Sequence, residues 1–386
     1  MIIGIPKEIL PEEKRVSALP DTVSKYTELG FVVKVEASAG KGLGIEDSDY
    51  QSAGAEVITD TRALFSGSDI ILKVKQPIFN QAIHEHEVEM MQQGATLITF
   101  LHPATPDNHD MVKRLKERNI TALTMDGIPR ISRAQRMDAL SSMSTVTGYK
   151  SVLLAANAMP KFVPMTGTAI GTVKPANFLI IGAGVVGLQA IATAKRLGGV
   201  VQALDIRQEA CTQAASVGAK VVTFDIPQEL VLGDGGYAQA LDSTWLKTEQ
   251  ETIAPQLEQT DVVILSALVP GEVAPILITE EMVQNMKYGS VIMDVSIDQG
   301  GNCAMTEPGQ MVQKNGVTIC GIQNIPGRMA VHASWLYASN LYYYVENLYK
   351  QGPGKMDFED EIVASTLVTH QGTIKHQGTL KAMQGQ

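Results

Sequence analysis

The chain has 386 residues, too many for one ordinary hydrophobic core, so two domains are expected. With 45% hydrophobic and 19% charged residues it has the composition of a folded globular protein. Its formal charge of −10 argues against nucleic acid or an anionic membrane surface as direct partners. No apolar stretch approaches the roughly 18 residues of a transmembrane helix. Met1-Ile2-Ile3-Gly4-Ile5 enters a strand directly, without the basic region of a signal peptide. Cys211, Cys303 and Cys320 lack metal-ligand spacing, so no metal site is expected and a reducing cytoplasm fits. Cys303 and Cys320 read as small buried hydrophobes.

Residues 1–128 alternate short apolar runs with polar helical segments. The runs predict strands at Ile2–Ile5, Phe31–Glu36, Glu56–Ile58, Ile70–Val74, Thr96–Phe100 and Ile120–Thr124. Helices are expected at Asp21–Leu29, Arg62–Phe65, Ala82–Gln92 and Pro106–Glu117. This alternation argues a parallel sheet covered by helices on both faces, with ligand-facing residues just past the carboxyl ends of strands. Lys75 and His102 stand at such places. The segment from Pro129 to Asp138, dense in arginine and amides, reads as a loop placed to touch a ligand, and Ser141–Met159 as a helix entering the second domain.

In Phe178–Arg207 an apolar run breaks into Gly182-Ala183-Gly184-Val185-Val186-Gly187, resumes with helical spacing and returns to an apolar run ending in Asp205. Strand, glycine turn, helix, strand and acid form the dinucleotide fingerprint. Gly182 suits the tight turn, Gly184 keeps side chains from a pyrophosphate, and Gly187 lets the helix lie close to the strand. The helix N-terminus at Val185 offers N–H groups to phosphate. Asp205 can accept both hydrogen bonds of an adenosine ribose diol and would repel a 2′-phosphate, so the reading is NAD(H) rather than NADP(H). Arg207 stands where an arginine can meet a 2′-phosphate, and Asp205 outweighs it. Ile206 and, past the strand Asp261–Leu265, Ala267 and Leu268 complete the candidate cofactor-binding set.

The rest of this domain reads as a strand at Lys220–Phe224, a flap from Gln228 to Gln259 with a helix of about 242–257, a helix at Glu280–Met286, and strands Ser290–Val295 and Val317–Cys320. That makes a six-strand domain. A long helix, Ala330–Tyr349, carries Trp335, Leu336, Leu341, Val345 and Leu348 as a core stripe. A hairpin through Ile362–Thr369 and Thr373–Lys375 turns at Gln371-Gly372. The expected fold class is α/β: two doubly wound parallel-sheet domains, one a Rossmann domain, with a cleft between them. Residues 1–140 plus 329–386 make the outer domain, and 141–328 the Rossmann domain.

From Gly4-Ile5-Pro6-Lys7-Glu8 to the C-terminal hairpin the chain resembles one superfamily. It comprises alanine dehydrogenase and the NAD(H)-binding component of proton-translocating NAD(P) transhydrogenase. PRISRAQRMD ending at Asp138, Ser141 beyond it, Gly235-Gly236-Tyr237-Ala238, and Gly300-Gly301-Asn302-Cys303 look like the transhydrogenase branch. The resemblance implies that Arg130, Gln135, Asp138 and Ser141 position the nicotinamide, while Gly236 and Tyr237 close over the nucleotide. Hydride then passes to NADP⁺ on a partner beta component, coupled to proton translocation by membrane-spanning chains. The resemblance further implies a homodimer, docked at the cytoplasmic face of the membrane complex. Arg15, Lys75, His102 and Asp298 match substrate and catalytic positions of alanine dehydrogenase, so reductive amination of pyruvate stands as the alternative.

Overall fold

A strand buried on both faces needs an unbroken apolar run, and this chain supplies such runs at intervals filled by helices. The computed structural model describes residues 1–231, 238–269 and 273–384. They divide into two compact units, Met1–Met143 with Pro326–Gln386, and Ser144–Ile325.

In the first unit β1 (Ile2–Ile5), β2 (Val32–Glu36), β3 (Glu56–Ile58), β4 (Ile70–Leu72), β5 (Thr96–Thr99) and β6 (Thr121–Thr124) lie parallel in the order β3-β2-β1-β4-β5-β6. The strand Leu367–His370 adds antiparallel beside β6, and Thr373–Ile374 folds back from it. Gln371 and Gly372 make that turn, both at positive φ. The helix Ala330–Leu348 buries Tyr337, Leu341, Tyr344, Val345 and Leu348. Trp335, expected on that stripe, points off it and is 54% exposed.

The second unit holds β7 (Asn177–Ile181), β8 (Val200–Leu204), β9 (Lys220–Val221), β10 (Val262–Leu265), β11 (Val291–Asp294), β12 (Met311–Lys314) and β13 (Val317–Cys320). Their order is β9-β8-β7-β10-β11-β13-β12, parallel except for β12. The sheet has seven strands, not the expected six. Asn315 and Gly316, at φ 53° and 75°, form the two-residue turn that pairs β12 with β13. Counting parallel strands alone, both sheets carry the order 3-2-1-4-5-6 of doubly wound nucleotide-binding folds.

Other expectations need correction. Only Glu87–Met90 of Ala82–Gln92 is helical, because Glu85–His86 pairs with Phe79–Asn80. Ile362–Thr366 belongs to a helix, not a strand: the Asp360 carboxylate caps it by accepting from the Ile362 N–H at 2.9 Å. Residues of the arginine–glutamine loop form 3₁₀ turns at Ser132–Met137. The helices Asp47–Ser52 and Gln208–Ser216 were not anticipated.

Candidate nucleotide site and strand-end cluster

The turn after β7 separates three reasons for a glycine. Gly182 has φ +87°, and a Cβ there would meet the Ser266 backbone at 2.7 Å. A Cβ on Gly187 would stand 2.0 Å from the Gly182 carbonyl oxygen, so helix Val185–Arg196 can lie against β7 only without one. Gly184 differs: its φ is −73°, and a Cβ there would meet nothing within 4 Å. Neither backbone angle nor protein packing calls for glycine at 184. Close approach of a ligand to the backbone would. Gly184 caps the helix without a side-chain acceptor, which leaves its first-turn N–H groups directed at that space.

Asp205, at the end of β8, is buried and faces this turn. Its Oδ2 accepts from the Ala183 N–H at 2.7 Å and from Arg207 Nη2 at 2.9 Å. Its Oδ1 accepts from the Arg207 N–H at 2.9 Å and from Arg207 Nε at 3.0 Å. Arg207 is thus folded back onto the acid. The Gln228 amide holds the following backbone, donating to the Ile206 carbonyl at 3.1 Å and accepting from the Gln208 N–H at 3.0 Å. Gly236 and Tyr237 of the expected flap lie outside the described residues.

Ala267 is fixed by a residue that sequence reasoning placed in a motif without assigning it a role. Asn302 is fully buried; its Oδ1 accepts from the Ala267 N–H at 3.1 Å and its Nδ2 donates to the Ala267 carbonyl at 2.9 Å. The Asp294 carboxylate in turn accepts from the N–H groups of Asn302 and Cys303 and from the Thr306 hydroxyl. Burial nevertheless raises the Asp294 pKa. Leu268 is partly exposed beside Ala267, and Asp298 is exposed on the 3₁₀ turn Val295–Gln299. Cys303 and Cys320 are buried thiols, as expected.

In the first unit, Asp138 and Ser141 cap helix Ala139–Ala158: Asp138 accepts from the Ser141 N–H at 2.8 Å and from its hydroxyl at 2.6 Å. Arg130 and Gln135 are exposed. The segment between them is tied down on both sides. Arg133 donates to both Asp360 oxygens at 2.9 Å, Arg136 stacks 3.4 Å over the Tyr343 ring, and Asn340 donates to the Arg136 carbonyl.

Arg15, Lys75 and His102 follow β1, β4 and β5, which are neighbours in the sheet. Arg15 is buried, its Nε and Nη2 gripped by Glu13 at 2.8 and 2.6 Å. Beside Lys75, Lys73 is buried between Glu87 at 2.8 Å and Glu8 at 3.3 Å. Burial would lower the Lys73 pKa, but the two carboxylates reverse that and keep it protonated. His102 sits at φ +43° with Nδ1 2.9 Å from Asp126 Oδ1, and the His102 N–H donates to Oδ2 at 2.8 Å. Burial would raise the Asp126 carboxyl, yet the His102 charge and the hydrogen bonds from His102 and Thr124 hold it at about 2. Sequence reasoning missed Tyr337, whose hydroxyl donates to the Lys73 carbonyl at 2.7 Å and whose ring packs on Phe100, itself stacked on His102. Among the described residues no cluster of His, Cys, Asp or Glu could hold a metal.

Known proteins match along almost the whole chain. A family model described as alanine dehydrogenase/PNT, N-terminal domain, covers residues 4–147, and its C-terminal-domain counterpart covers 151–377. An NAD(P) transhydrogenase subunit alpha chain of Rhodospirillum rubrum is 43% identical over 379 residues, spanning 97% of this chain and 98% of that protein. Alanine dehydrogenase of Bacillus subtilis is 32% identical over 338 residues, 85% of this chain and 80% of that one. Among solved structures, the transhydrogenase from Sinorhizobium meliloti superposes with a TM-score of 0.82 at 38% identity, covering 98% of this chain and 99% of that one. An L-alanine dehydrogenase superposes at 0.83 with 28% identity, covering 100% and 99%.

Proposed function

The chain belongs to the alanine dehydrogenase/PNT family, and from that premise we propose that it is the NAD(H)-binding component of a proton-translocating NAD(P) transhydrogenase of the Si-specific type. The observation that carries the nucleotide part is Gly184, a glycine that neither the fold nor its own backbone angle needs, at an uncapped helix N-terminus beside Asp205. The residues fit the dinucleotide. The turn from Gly182 to Gly187, with Val185, would hold the pyrophosphate. Asp205 would hold the ribose diol once Arg207 lets go, flanked by Ile206, Ala267 and Leu268. Gly236 and Tyr237 would close over it.

NADH supplies the hydride, and NADP⁺ on a partner beta component receives it. In this reading Arg130, Gln135, Asp138 and Ser141 orient the nicotinamide and exclude water. Hydride transfer between two nicotinamides needs neither acid nor base, so position is the catalytic contribution. The names of the Rhodospirillum relative and the Sinorhizobium structure support this assignment. Proton translocation is the work of other, membrane-spanning chains. No helix among the described residues is long and apolar enough to cross a membrane. We place the chain at the inner face of the cytoplasmic membrane through those partners.

A homodimer is part of the proposal. The hairpin Thr166–Thr168 with Gly171–Val173 stands as a separate two-stranded sheet, with Ile170 100% exposed at its tip and Met165 67% exposed beside it. Two strands alone are marginal in water, and a bare apolar tip favours burial against a second copy. Sedimentation velocity reads this directly, and a monomer at micromolar concentration would remove it.

One observation favours a second reading, amino-acid oxidation of the alanine dehydrogenase kind. Lys75 and the His102–Asp126 pair follow adjacent strands, with Arg15 on the connection after the neighbouring β1 and Asp298 as a further candidate, and such chemistry needs a proton-handling group. A paired assay separates the two. The purified chain receives NADH with pyruvate and ammonia in one arm, and NADH with the NADP(H)-binding component and an NADP⁺ analogue in the other. Turnover is expected in the second arm, and turnover in the first alone overturns the assignment.

A further inference from the structure

Glu249 is a buried acid that the proposed reaction does not use. It lies on helix Ser243–Leu257, on the stripe that carries Leu246, Ile253 and Leu257 into the core of the second unit. Residues seven apart share a helix face. Gln256, seven residues on, reaches Gln202 of β8 at 3.4 Å, so this face looks toward the strand that ends in Asp205. Glu249 is only 5% exposed. A carboxyl with so little contact with water is costly when ionised. Burial first, and then the charge of Asp205, push its pKa up to about 7.

The elements packed on this helix carry other charged or titratable groups: Arg207 and Cys211 near Asp205, Asp225 beside Phe224, and Asp261, paired with Lys161, before β10. Of these and Asp205, Asp205 is the one whose charge acts on Glu249. At Asp205 itself all four acceptor directions of the carboxylate are taken, three of them by Arg207. A ribose diol can reach that carboxylate only by displacing the guanidinium. Displacement uncovers the negative charge of Asp205 and strengthens its repulsion of an ionised Glu249.

We propose that Glu249 is a positioning residue of the adenosine-ribose subsite, acting through Asp205, and that binding of the dinucleotide is coupled to uptake of a proton at Glu249. This rests on the reading that the glycine turn and Asp205 bind NAD(H). The sign follows from linkage. A group whose pKa rises on binding favours the complex at low pH, and that advantage is lost as pH climbs through its bound-state pKa. NADH binding to the full chain therefore weakens as pH rises from 6 to 8.5, by roughly three- to tenfold for one partly shifted group. Glu249→Gln, which keeps the shape and stays neutral, binds at the tight low-pH level throughout.

The test is NADH fluorescence titration of wild type and Glu249→Gln from pH 6 to 8.5. Calorimetry of the wild type at pH 7.5, in two buffers of different ionisation enthalpy, counts protons without any variant. A wild-type slope that the variant abolishes, with net proton uptake, supports the inference. Binding with equal slopes in both proteins, with the opposite slope, or with no proton uptake overturns it while leaving the nucleotide site intact. Failure of NADH to bind at any pH overturns the site reading itself, and the inference with it.

Discussion

The two units share one order of parallel strands and solve the strand-end problem differently. In the second, β7 passes to its helix through Gly182-Ala183-Gly184, and the space is shaped by missing side chains. In the first, β1 passes to helix Pro20–Glu28 through residues 6–19, whose interior is filled with charge pairs: Glu13 with Arg15, Glu8 and Glu87 with Lys73. The same sheet therefore presents backbone N–H groups and a helix end in one unit, and a buried ionic network in the other. Strand order names neither ligand. The first connection does, because it decides whether a phosphate can reach backbone.

The sharpest way to break this comparison is a pair of substitutions in the glycine turn. Gly184→Ala should leave thermal stability within about 0.5 kcal/mol, since its Cβ meets nothing, yet lower NADH affinity by roughly a hundredfold through a clash with phosphate. Gly187→Ala should lose about 3 kcal/mol or more of stability, because its Cβ overlaps a carbonyl oxygen. Denaturant melts and NADH titrations of both variants check it. Equal behaviour of the two would show that the turn is merely structural.

A smaller effect tests whether the first unit adds affinity or only geometry. Gln135→Asn should leave NADH affinity within about twofold and slow hydride transfer by roughly ten- to a hundredfold, read by stopped-flow mixing with the NADP(H)-binding component. A large loss of affinity instead would assign binding energy to that segment. The mildest change concerns charge. Asp126 is held below its unfolded pKa, so its contribution is present above about pH 4 and lost as pH falls toward 2. Asp126→Asn should be about 1–2 kcal/mol less stable than wild type at pH 6, and the gap should close by pH 2. Urea melts across that range would expose a pH-independent gap, which would point to packing rather than charge.

Much of the fold could be read from the sequence because buried parallel strands write themselves as apolar runs, and Gly182-Ala183-Gly184 with Asp205 needed only local spacing. What escaped was non-local or masked by stronger signals. The Asn315-Gly316 hairpin was overlooked because Met311–Lys314 is a half-polar edge strand, although that dipeptide is a strong turn signal. The helical pattern of Ala82–Gln92 was overridden by a short hairpin and by Glu87, drawn to a buried lysine fourteen residues away. Asn302 and Tyr337 owe their roles to partners that no local pattern reveals. Glu249 was visible in principle, as an acid on an otherwise apolar helical stripe. Arg15, which the sequence marked only through a resemblance, is buried and held by the neighbouring Glu13.

The saturated carboxylate of Asp205 also bears on timing. A ligand that must evict an arginine exchanges hydrogen bonds instead of adding them, so the net gain is small against the gross interaction. The displaced guanidinium remains tethered two residues away, at high local concentration, ready to reclaim the acid whenever the ribose loosens. Such an internal competitor shortens residence. Under the proposed function, a component that sheds one oxidation state of its nucleotide and takes up the other in every cycle would gain turnover from a grip that is specific without being lasting.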